Sequence, residues 1–402
     1  SQNVFGQGHA VSEVELVTLF GGVVDQSVPL FHMHLVLIGA ECFKFDSEVV
    51  FLSSVMNRIA EILLDWYARE GRDLPWRRTR DPYRIWLSEV ILQQTRVAQG
   101  MEYYLRFTER FPDVASLAAA PEDEVLKLWQ GLGYYSRARN LKRAAQTVME
   151  DCGGVFPDSY EGLRKLAGIG DYTAGAIASI SFGLAVPAVD GNVLRVFSRL
   201  YNDPGVITEP AVKRAFTARV MEHQPPEKAG DYNQALMELG ALVCVPNGAP
   251  LCEQCPLASL CEARRAGTAL ELPHKAAPKA RRIEPVTVVL AEDAEGCFLL
   301  QQRPKKGLLA GLWQPLLWEG EALSAEEVCA RLEALGLACE DIEPLPAAKH
   351  IFSHIEWRMS GYSVCVGSAE APAGCVWASR EQLQNEYTLP GAFKAYKKKL
   401  GL

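Results

Sequence analysis

Glu89 is a carboxylate whose position in the sequence would suit proton donation to a substrate. It lies in the segment WLSEVILQQTR (86–96), between Leu87 and Val90 and close to the apolar face of a helix. A carboxyl group in such a setting has a raised pKa and can act as a general acid. A glutamate at the border of a helix's solvated face is the alternative interpretation.

Asp190 is a second carboxylate in a position that could serve chemistry. It lies in PAVDGNVLRVFS (187–198), immediately before a helical run. An aspartate there is commonly an N-cap, which is the default interpretation of the segment alone. A catalytic role requires a partner carboxylate, and Glu89 is the candidate.

Four of the eleven cysteines lie close together in the sequence, with the spacing Cys-x7-Cys-x2-Cys-x5-Cys. They are Cys244, Cys252, Cys255 and Cys261. Four thiolates at this spacing can close around one metal centre, and ligand type alone does not distinguish zinc from a [4Fe-4S] cluster. Crowded rather than scattered cysteines favour a metal site in a reducing compartment, so we expect a cytoplasmic protein, associated with the nucleoid in a bacterium.

The segment LAGIGDYTAGAIASISF (166–182) has a short turn containing Gly168 and Gly170 between two helical patterns. Glycines there let the amides at the second helix's N-terminus approach an anion closely, and a DNA phosphate is the anion that we expect. A plain helix-turn-helix corner is the alternative.

The net charge of −8 argues weakly against a nucleic-acid partner, but the charges are unevenly distributed. Residues 72–110 hold eight arginines against five acids, and residues 131–149 hold four bases before the first acid at Glu150. Those four are Arg137, Arg139, Lys142 and Arg143. Clustered bases indicate phosphate binding, although an ordinary solvated basic face would look the same.

The elements that must position these residues fall into two groups. A chain of 402 residues with 49% hydrophobic content can form two or three domains. Helical periodicity begins at Ile59, Ile62, Leu63 and Trp66 and continues to about Arg265, which predicts an all-helical domain over residues 56–265. Residues 266–284 are rich in Ala, Pro, Lys and Arg, as expected for an interdomain linker.

Residues 285–402 have a different pattern. Residues 286–290 and 297–301 flank an acidic turn and predict a hairpin. Ser324 with Glu327 predicts a capping box that starts a helix, and residues 351–366 again favour strands. The sequence therefore predicts a smaller α+β domain.

Residues 1–55 have no assigned role. No Lys or Arg precedes Lys44, so neither a signal peptide nor an Arg-rich transit peptide is expected. No window of the chain reaches the roughly 18 apolar residues of a membrane span, and we expect a soluble protein without a membrane partner.

Five segments together resemble those of the adenine DNA glycosylases of the MutY type. They are, in order, WLSEVILQQT, GLGYYSRARN, LAGIGDYTAG, VDGNVLRV and the cysteine group, and they span residues 56 to 261. The resemblance implies a helix-hairpin-helix glycosylase domain with a [4Fe-4S] cluster on the four cysteines. The segment HIFSHIEW (350–357) is similar to part of that family's Nudix-like C-terminal domain, which recognises 8-oxoguanine. Since the match begins next to Met56, residues 1–55 are expected to be an extension or an upstream reading frame.

The resemblance also implies roles for single residues. Glu89 would protonate the adenine, and Asp190 would stabilise or trap the positive sugar as the glycosidic bond breaks, which follows the logic of glycosidases. Gln94 and Tyr134 match residues that wedge into the duplex in place of the flipped base. The remaining matches are Arg77, Tyr172, Asn192 and Gln234 at the adenine, Thr95 and Leu132 at the lesion, and Phe352, Ser353 and His354 in the C-terminal lesion reader. The implied partner is double-stranded DNA containing adenine opposite 8-oxoguanine, bound by a monomer.

Two related classes are disfavoured by single positions. Endonuclease III has the same fold but uses a lysine in the hairpin as a Schiff-base nucleophile, where this chain has Tyr172, so a monofunctional enzyme is expected. A Nudix hydrolase needs several carboxylates for Mg²⁺, whereas the segment CARLEAL keeps only Glu333. The first cysteine gap is one residue longer than is usual in the family.

Two further hypotheses differ in function. An inactive DNA-binding protein with the same cluster would not need both Glu89 and Asp190. A glycosylase acting on thymine opposite guanine would not need the HIFSHIEW segment.

Overall fold

The computed structural model describes residues 47–402 apart from Pro278, with residues 47–57 described as helical backbone alone. Most of the segment predicted to be an extension, residues 1–46, therefore lies outside the described residues. Residues 47–55 belong to the first helix, α1, which runs from Ser47 to Glu70.

The part of the chain before residue 267 is helical, as the sequence predicts. After α1 come α2 Pro82–Leu92, α3 Val97–Arg110, α4 Val114–Ala119, α5 Glu122–Leu128, α6 Ser136–Asp151, α7 Tyr160–Arg164, α8 Asp171–Phe182, α9 Gly191–Leu200, α10 Pro210–His223, α11 Ala229–Leu242 and α12 Glu262–Ala266. Short 3-10 turns lie at Pro75–Arg77, Pro226–Lys228 and Cys252–Gln254.

Two apolar clusters hold these helices together. The first buries Trp86, Phe107 and Trp129 and includes α2 and α8. The second buries Phe197 and Tyr232 and includes α9 and α11. Because α8 also packs on α11, the helices that carry the candidate acid and the candidate second carboxylate are fixed with respect to each other.

The second part of the chain is an α+β domain built on one six-stranded sheet. Its strands are β1 Arg282–Glu292, β2 Phe298–Gln302, β3 Trp313–Glu319, β4 Cys339–Ile351, β5 Ile355–Val366 and β6 Cys375–Ala378. Their order is β4-β5-β1-β3-β2-β6, with β1 and β5 parallel and the other ladders antiparallel. Three α-helices accompany the sheet, α13 Ala325–Ala334, α14 Arg380–Asn385 and α15 Lys397–Leu400, with a 3-10 helix at Gly391–Tyr396.

The helix cap and the hairpin predicted for this domain agree with the structure in part. The capping box of Ser324 and Glu327 is confirmed at the start of α13. The predicted hairpin is confirmed at its turn, where β1 and β2 pair antiparallel at Glu292 and Phe298, but it does not extend further, because β3 lies between the two strands along residues 286–289 of β1. Four residues of β1 pair with β3, whereas in an extended hairpin they would have paired with β2.

The segment predicted as a linker, residues 266–284, is partly structured. Strand β1 already begins at Arg282, inside that segment. Arg199 donates from Nε to the carbonyl of Leu272 at 2.9 Å, and the amide of Ile207 donates to the carbonyl of His274 at 3.0 Å. The segment is thus tied to the helical part, because its backbone carbonyls accept hydrogen bonds there.

The helical and α+β parts contact each other within the compact unit formed by residues 56–402. Leu312 is buried in the first helical cluster, although it belongs to the loop between β2 and β3. The Lys127 ammonium donates to the carbonyls of Leu383 at 3.2 Å and Tyr387 at 2.9 Å, at the end of α14. These contacts join the two parts through apolar packing and charge-assisted hydrogen bonds.

The basic segment of α6 is mostly used inside the protein rather than as a DNA-facing patch. Arg139 donates to the carbonyl of Ala310, and Lys142 donates to the carbonyl of Ala118 at 3.1 Å. Arg137 is buried and also binds backbone carbonyls. The prediction that these side chains bind phosphate is therefore wrong for three of the four, and Arg143 remains exposed. Among the described helices, none is long and apolar enough to cross a bilayer.

Candidate active site

Glu89 is a buried carboxyl near the end of α2, with 9% of its surface exposed. Burial raises its pKa to about 7, and the nearby Asp190 carboxyl pushes in the same direction. A hydrogen bond from Tyr172 and the charge of Arg77 oppose the shift. Burial is the largest influence, so the raised pKa expected from the sequence is confirmed, and the group can hold or release a proton near neutral pH.

Tyr172, in the first turn of α8, connects Glu89 to the surrounding pocket. Its hydroxyl donates to Glu89 Oε2 at 2.6 Å and lies 3.5 Å from the sulfur of Met237. Burial raises the pKa of the phenol well above its usual value, and the Glu89 carboxyl adds to the shift. The phenol therefore stays protonated and acts as a hydrogen-bond donor.

Asp190 caps α9, so the default interpretation of its segment is confirmed. Its Oδ1 accepts from the amides of Asn192 and Val193, each at 2.8 Å, and its Oδ2 accepts from Asn192 Nδ2 at 2.7 Å. Burial nevertheless raises the pKa of Asp190, against the opposing effect of these hydrogen bonds. The cap holds the carboxylate in one orientation, which is also what a charge-stabilising group needs.

Arg195, buried on α9, links this capped carboxylate to the first cysteine. Its Nη2 donates to Asn192 Oδ1 at 2.9 Å and to the carbonyl of Gly240 at 2.8 Å, and its Nε donates to the carbonyl of Cys244 at 2.8 Å. A Cβ at Gly240 would come within 2.7 Å of Asn192 Cβ, so this close approach of α11 to α9 requires glycine. The orientation of Asn192 therefore depends on the backbone at Cys244.

Arg77 is fixed by a buried acid that the sequence analysis missed. Glu238 on α11 accepts from Arg77 Nη2 at 2.7 Å and from Arg72 Nη2 at 2.6 Å, and its side chain is fully buried. Hydrogen bonds and charges from the two arginines outweigh burial and lower the pKa of Glu238 to about 2. A permanently charged acid thus holds Arg77 in place, at a position from which it acts electrostatically on Glu89.

Gln234 lies one helical turn before Glu238 on α11. Its side-chain oxygen accepts from the Tyr67 hydroxyl at 3.3 Å. That bond leaves the amide nitrogen as the donating end of the side chain. The spacing of four residues puts Gln234 and Glu238 on one helix face, which is a sequence signal that could have found Glu238.

An open cavity of about 630 Å³ lies over the hairpin between α7 and α8. Gly168, Gly170, Tyr172 and Asp190 all line it. Gly168 has φ +76°, and a Cβ there would approach Asn140 Cβ to 2.7 Å, so this turn requires glycine. The structure thus brings the hairpin and the Asp190 carboxylate to one cavity.

Lys213 is a cavity residue that the sequence analysis missed. It is exposed on α10 and lines the same cavity as the hairpin. No motif surrounds it in the sequence, and it comes to the site because α10 begins just after the segment 207–208, which also lines the cavity.

Two loops carry the residues expected to enter the duplex or contact the lesion. Gln94 and Tyr134 are both exposed and both have positive φ, +56° and +47°. Thr95 is half-buried beside Gln94. Leu132, in contrast, is 8% exposed and packs in the first helical cluster.

The four clustered cysteines line one small cavity together with Arg199. All four are free thiols, and Arg199 Nη1 lies 3.3 Å from Cys244 Sγ. In the part of the chain that the structure describes, no group of three or more His, Cys, Asp or Glu side chains is arranged to hold a metal ion. A separate disulfide, which the sequence analysis did not predict, joins Cys329 on α13 to Cys339 at the start of β4.

Phe352, Ser353 and His354 form the turn between β4 and β5. The Phe352 amide donates to the carbonyl of Ile355 at 2.8 Å, and the Phe352 ring makes an edge contact with Trp357 at 4.9 Å. Ser353 and His354 are exposed. Phe352 thus anchors the turn through its amide and its ring, whereas His354 contributes through its carbonyl, which accepts from the Arg282 amide at 3.0 Å.

Comparison with known proteins adds two family models. Residues 87–222 match the model described as HhH-GPD superfamily base excision DNA repair protein, and residues 287–399 match a NUDIX domain. The first match contains Glu89, Tyr172 and Asp190, and the second contains the turn 352–354.

Individual relatives match across both parts of the chain. The adenine DNA glycosylase of Homo sapiens is 37% identical over 382 residues, covering 80% of this chain and 70% of the human protein. That of Buchnera aphidicola subsp. Baizongia pistaciae is 33% identical, covering 73% of this chain and 82% of the relative. A solved thermostable thymine-DNA glycosylase is 29% identical with a TM-score of 0.47, covering 53% of this chain and 99% of that structure.

Proposed function

The chain belongs to the adenine DNA glycosylases, base excision repair enzymes that cleave N-glycosyl bonds, and we propose that it removes adenine paired with 8-oxoguanine by a monofunctional mechanism. The observation that carries this proposal is the buried Glu89 carboxyl, with its pKa raised to about 7 and its hydrogen bond to Tyr172. Tyr172, the hydrogen-bond partner of Glu89, lines the cavity over the hairpin together with Asp190.

Glu89 acts as the general acid in this mechanism. It gives its proton to a ring nitrogen of an extruded adenine, which makes the base a better leaving group. The C1′–N9 bond then breaks, and its electron pair leaves with the neutral adenine. Reaching the base requires extrusion from the duplex, at a cost of a few kcal/mol.

Asp190 stabilises the positive sugar that the bond cleavage leaves behind. Its carboxylate is held by Asn192 and Val193 and lines the cavity. A fixed negative charge next to an oxocarbenium-like sugar lowers the barrier without reorganisation of the site. Water then adds to C1′ and loses a proton, giving an abasic site and an intact strand.

Tyr172 is the reason to expect no strand cleavage by the enzyme itself. A Schiff base with the sugar needs an amine, and the hairpin presents a phenol whose pKa is raised well above its usual value.

A [4Fe-4S] cluster on Cys244, Cys252, Cys255 and Cys261 is part of the proposal. The four thiols are free and line one cavity, which suits a cluster held by four thiolates. Such a group would contribute folding energy to the loop after α11. Because Arg195 binds both the Cys244 carbonyl and the Asn192 side chain, an ordered loop would also fix the orientation of Asn192.

The turn of Phe352, Ser353 and His354 is proposed to recognise 8-oxoguanine. Relative to guanine, that base has gained a donor at N7 and an acceptor at O8, and a hydroxyl can pair with either. Ser353 is exposed at the tip of a turn whose backbone is fixed by Phe352 and Arg282. The chain is expected to act on double-stranded DNA as a monomer.

The proposal is tested with duplexes that carry one adenine opposite 8-oxoguanine, opposite guanine or opposite thymine, and with a thymine opposite guanine. Alkali after incubation cuts the strand at any abasic site. We expect scission to be fastest for adenine opposite 8-oxoguanine, and absent when alkali is omitted. Preferential scission at thymine opposite guanine would instead favour the second candidate specificity.

A further inference from the structure

The loops that carry Gln94 and Tyr134 hold unfavourable backbone conformations. Both residues lie in the left-handed region, at φ +56° and +47°, although neither is glycine. Residues other than glycine rarely adopt this backbone conformation unless the surrounding structure imposes it. Something in the protein must therefore hold each loop in place.

A single side chain, Arg137 on α6, contacts the backbone of both loops. Its Nη1 donates to the carbonyls of Val90 at 3.0 Å and Ile91 at 3.1 Å, and also to that of Gln93. Its Nη2 donates to the carbonyls of Leu132 and Gly133, each at 3.2 Å. One guanidinium thus spans the end of α2, the residue before Gln94 and the two residues before Tyr134.

The guanidinium is also held between aromatic rings. Its carbon lies 4.9 Å from the centre of the Trp129 ring and 5.9 Å from that of Tyr134. Trp129 itself donates from Nε1 to the carbonyl of Gly133 at 3.0 Å. The two side chains therefore support the same loop from two directions.

Among the described residues, burial and the Tyr134 phenol are the influences on the pKa of Arg137, and no carboxylate is among them. Arg137 is 9% exposed, and burial lowers its pKa to about 10, so the group remains charged at neutral pH. Its carbonyl partners at the end of α2 carry the negative end of that helix's dipole. A buried charge stabilised by backbone carbonyls of α2 and of both loops, rather than by an acid, makes the loop geometry and the arginine mutually dependent.

We propose that Arg137 is a positioning residue for base extrusion, which sets the relative placement of Gln94 and Tyr134 without touching DNA or adenine. The inference rests on the proposed function, since it takes these two side chains to be the ones that enter the duplex. An arginine that merely filled the core would need neither five carbonyl partners nor contacts to both loops.

The test compares Arg137→Lys with the wild type in full-length protein. Lysine keeps the charge but has three donors on one nitrogen, so it cannot span both loops as the guanidinium fork does. Arg143→Lys, at an exposed position of the same helix, is the matched control. Extrusion is followed by the fluorescence of 2-aminopurine placed opposite 8-oxoguanine, and chemistry by single-turnover release of adenine.

The rates of adenine release from two duplexes are compared, because this comparison separates a positioning role from a simple loss of folded protein. One duplex has normal base pairs around the adenine, and the other has mismatched neighbours that lower the cost of extrusion. We expect Arg137→Lys to slow adenine release about tenfold or more in the first duplex and clearly less in the second, with a reduced fluorescence rise. Equal slowing on both duplexes, or an unchanged fluorescence rise, would overturn the proposal.

A second variant covers the case in which Arg137→Lys does not fold. Trp129→Phe removes the bond to the Gly133 carbonyl and keeps an apolar ring, and it should give a smaller deficit with the same dependence on the neighbouring pairs. A wild type that shows no fluorescence rise would count against the proposed function itself, whereas a normal wild type with a normal Trp129→Phe would count against the inference alone.

Discussion

The Tyr172 hydroxyl donates a hydrogen bond of 2.6 Å to Glu89 Oε2, across the gap between α8 and α2. This bond favours the ionised carboxylate, while burial favours the protonated acid, and burial has the larger effect. The resulting pKa of about 7 lies close to the pH at which a general acid is most effective. The pair thus sets how much of the enzyme is protonated for catalysis.

Tyr172→Phe tests this balance. Because the hydrogen bond lowers the pKa of Glu89, its removal raises that pKa further, and the acid stays protonated to higher pH. We expect the alkaline limb of the single-turnover rate to move to higher pH, with Tyr160→Phe, which loses an exposed hydrogen bond to Asp171, as the control. An alkaline limb that stays in place would mean that another group controls it.

The sequence alone was sufficient to predict the placement of residues whose structural setting is determined by their near neighbours in the chain. The hairpin glycines, the capped Asp190 and the apolar setting of Glu89 all depend on neighbours within a few positions, and the structure places them as expected. The partners that come from distant segments were not accessible in the same way. The spacing from Gln234 could place Glu238 on the same helix face, but its burial and its pairing with Arg77, 161 positions away, follow from tertiary packing.

The basic segment of α6 shows a different kind of error, in which the sequence suggested a function that the structure does not support. Four bases without an acid looked like a phosphate-binding face, since clustered charge is the usual signature. Arg137 and Lys142 instead satisfy carbonyls at the ends of other elements, which composition does not reveal. Strand order was likewise hidden, because the insertion of β3 between β1 and β2 depends on pairing rather than on the pattern of either strand.

Borohydride trapping tests the absence of a Schiff base. With a duplex carrying adenine opposite 8-oxoguanine, we expect little covalent cross-link, because Tyr172 offers a phenol where the reaction needs an amine. A glycosylase with a lysine nucleophile, treated in parallel, provides the positive control. Efficient cross-linking of this chain would indicate a lyase mechanism.

If the four clustered cysteines hold a [4Fe-4S] cluster, the purified protein should be brown, with about four irons per chain and broad visible absorbance. Cys252→Ala should lose iron, destabilise the loop after Cys244 and weaken DNA binding, because a closed metal site contributes folding energy. Cys365→Ala, at an exposed position of β5, should keep full iron content. Stoichiometric zinc without iron in the wild type would contradict the assignment.

Replacement of Phe352, Ser353 and His354 by alanine tests lesion recognition. The loss should narrow the preference for adenine opposite 8-oxoguanine over adenine opposite guanine by roughly tenfold or more, since one lost contact costs roughly 1 to 3 kcal/mol of discrimination. Ser368→Ala, at another exposed turn of the same domain, is the control. A triple variant with the wild-type ratio would leave lesion recognition to the helical domain, at Thr95 and Leu132.

Glu89→Gln tests the central claim most directly, with adenine release and duplex binding measured on the same preparation. The amide keeps the shape of the side chain but cannot give a proton, and loss of a general acid typically costs roughly 10² to 10⁴-fold in rate. We expect single-turnover release of adenine opposite 8-oxoguanine to fall by that factor, binding to stay within a few-fold, and Glu102→Gln on the exposed face of α3 to behave as wild type. Release by Glu89→Gln at a rate near that of the wild type would contradict the account, because the proton would then come from another group.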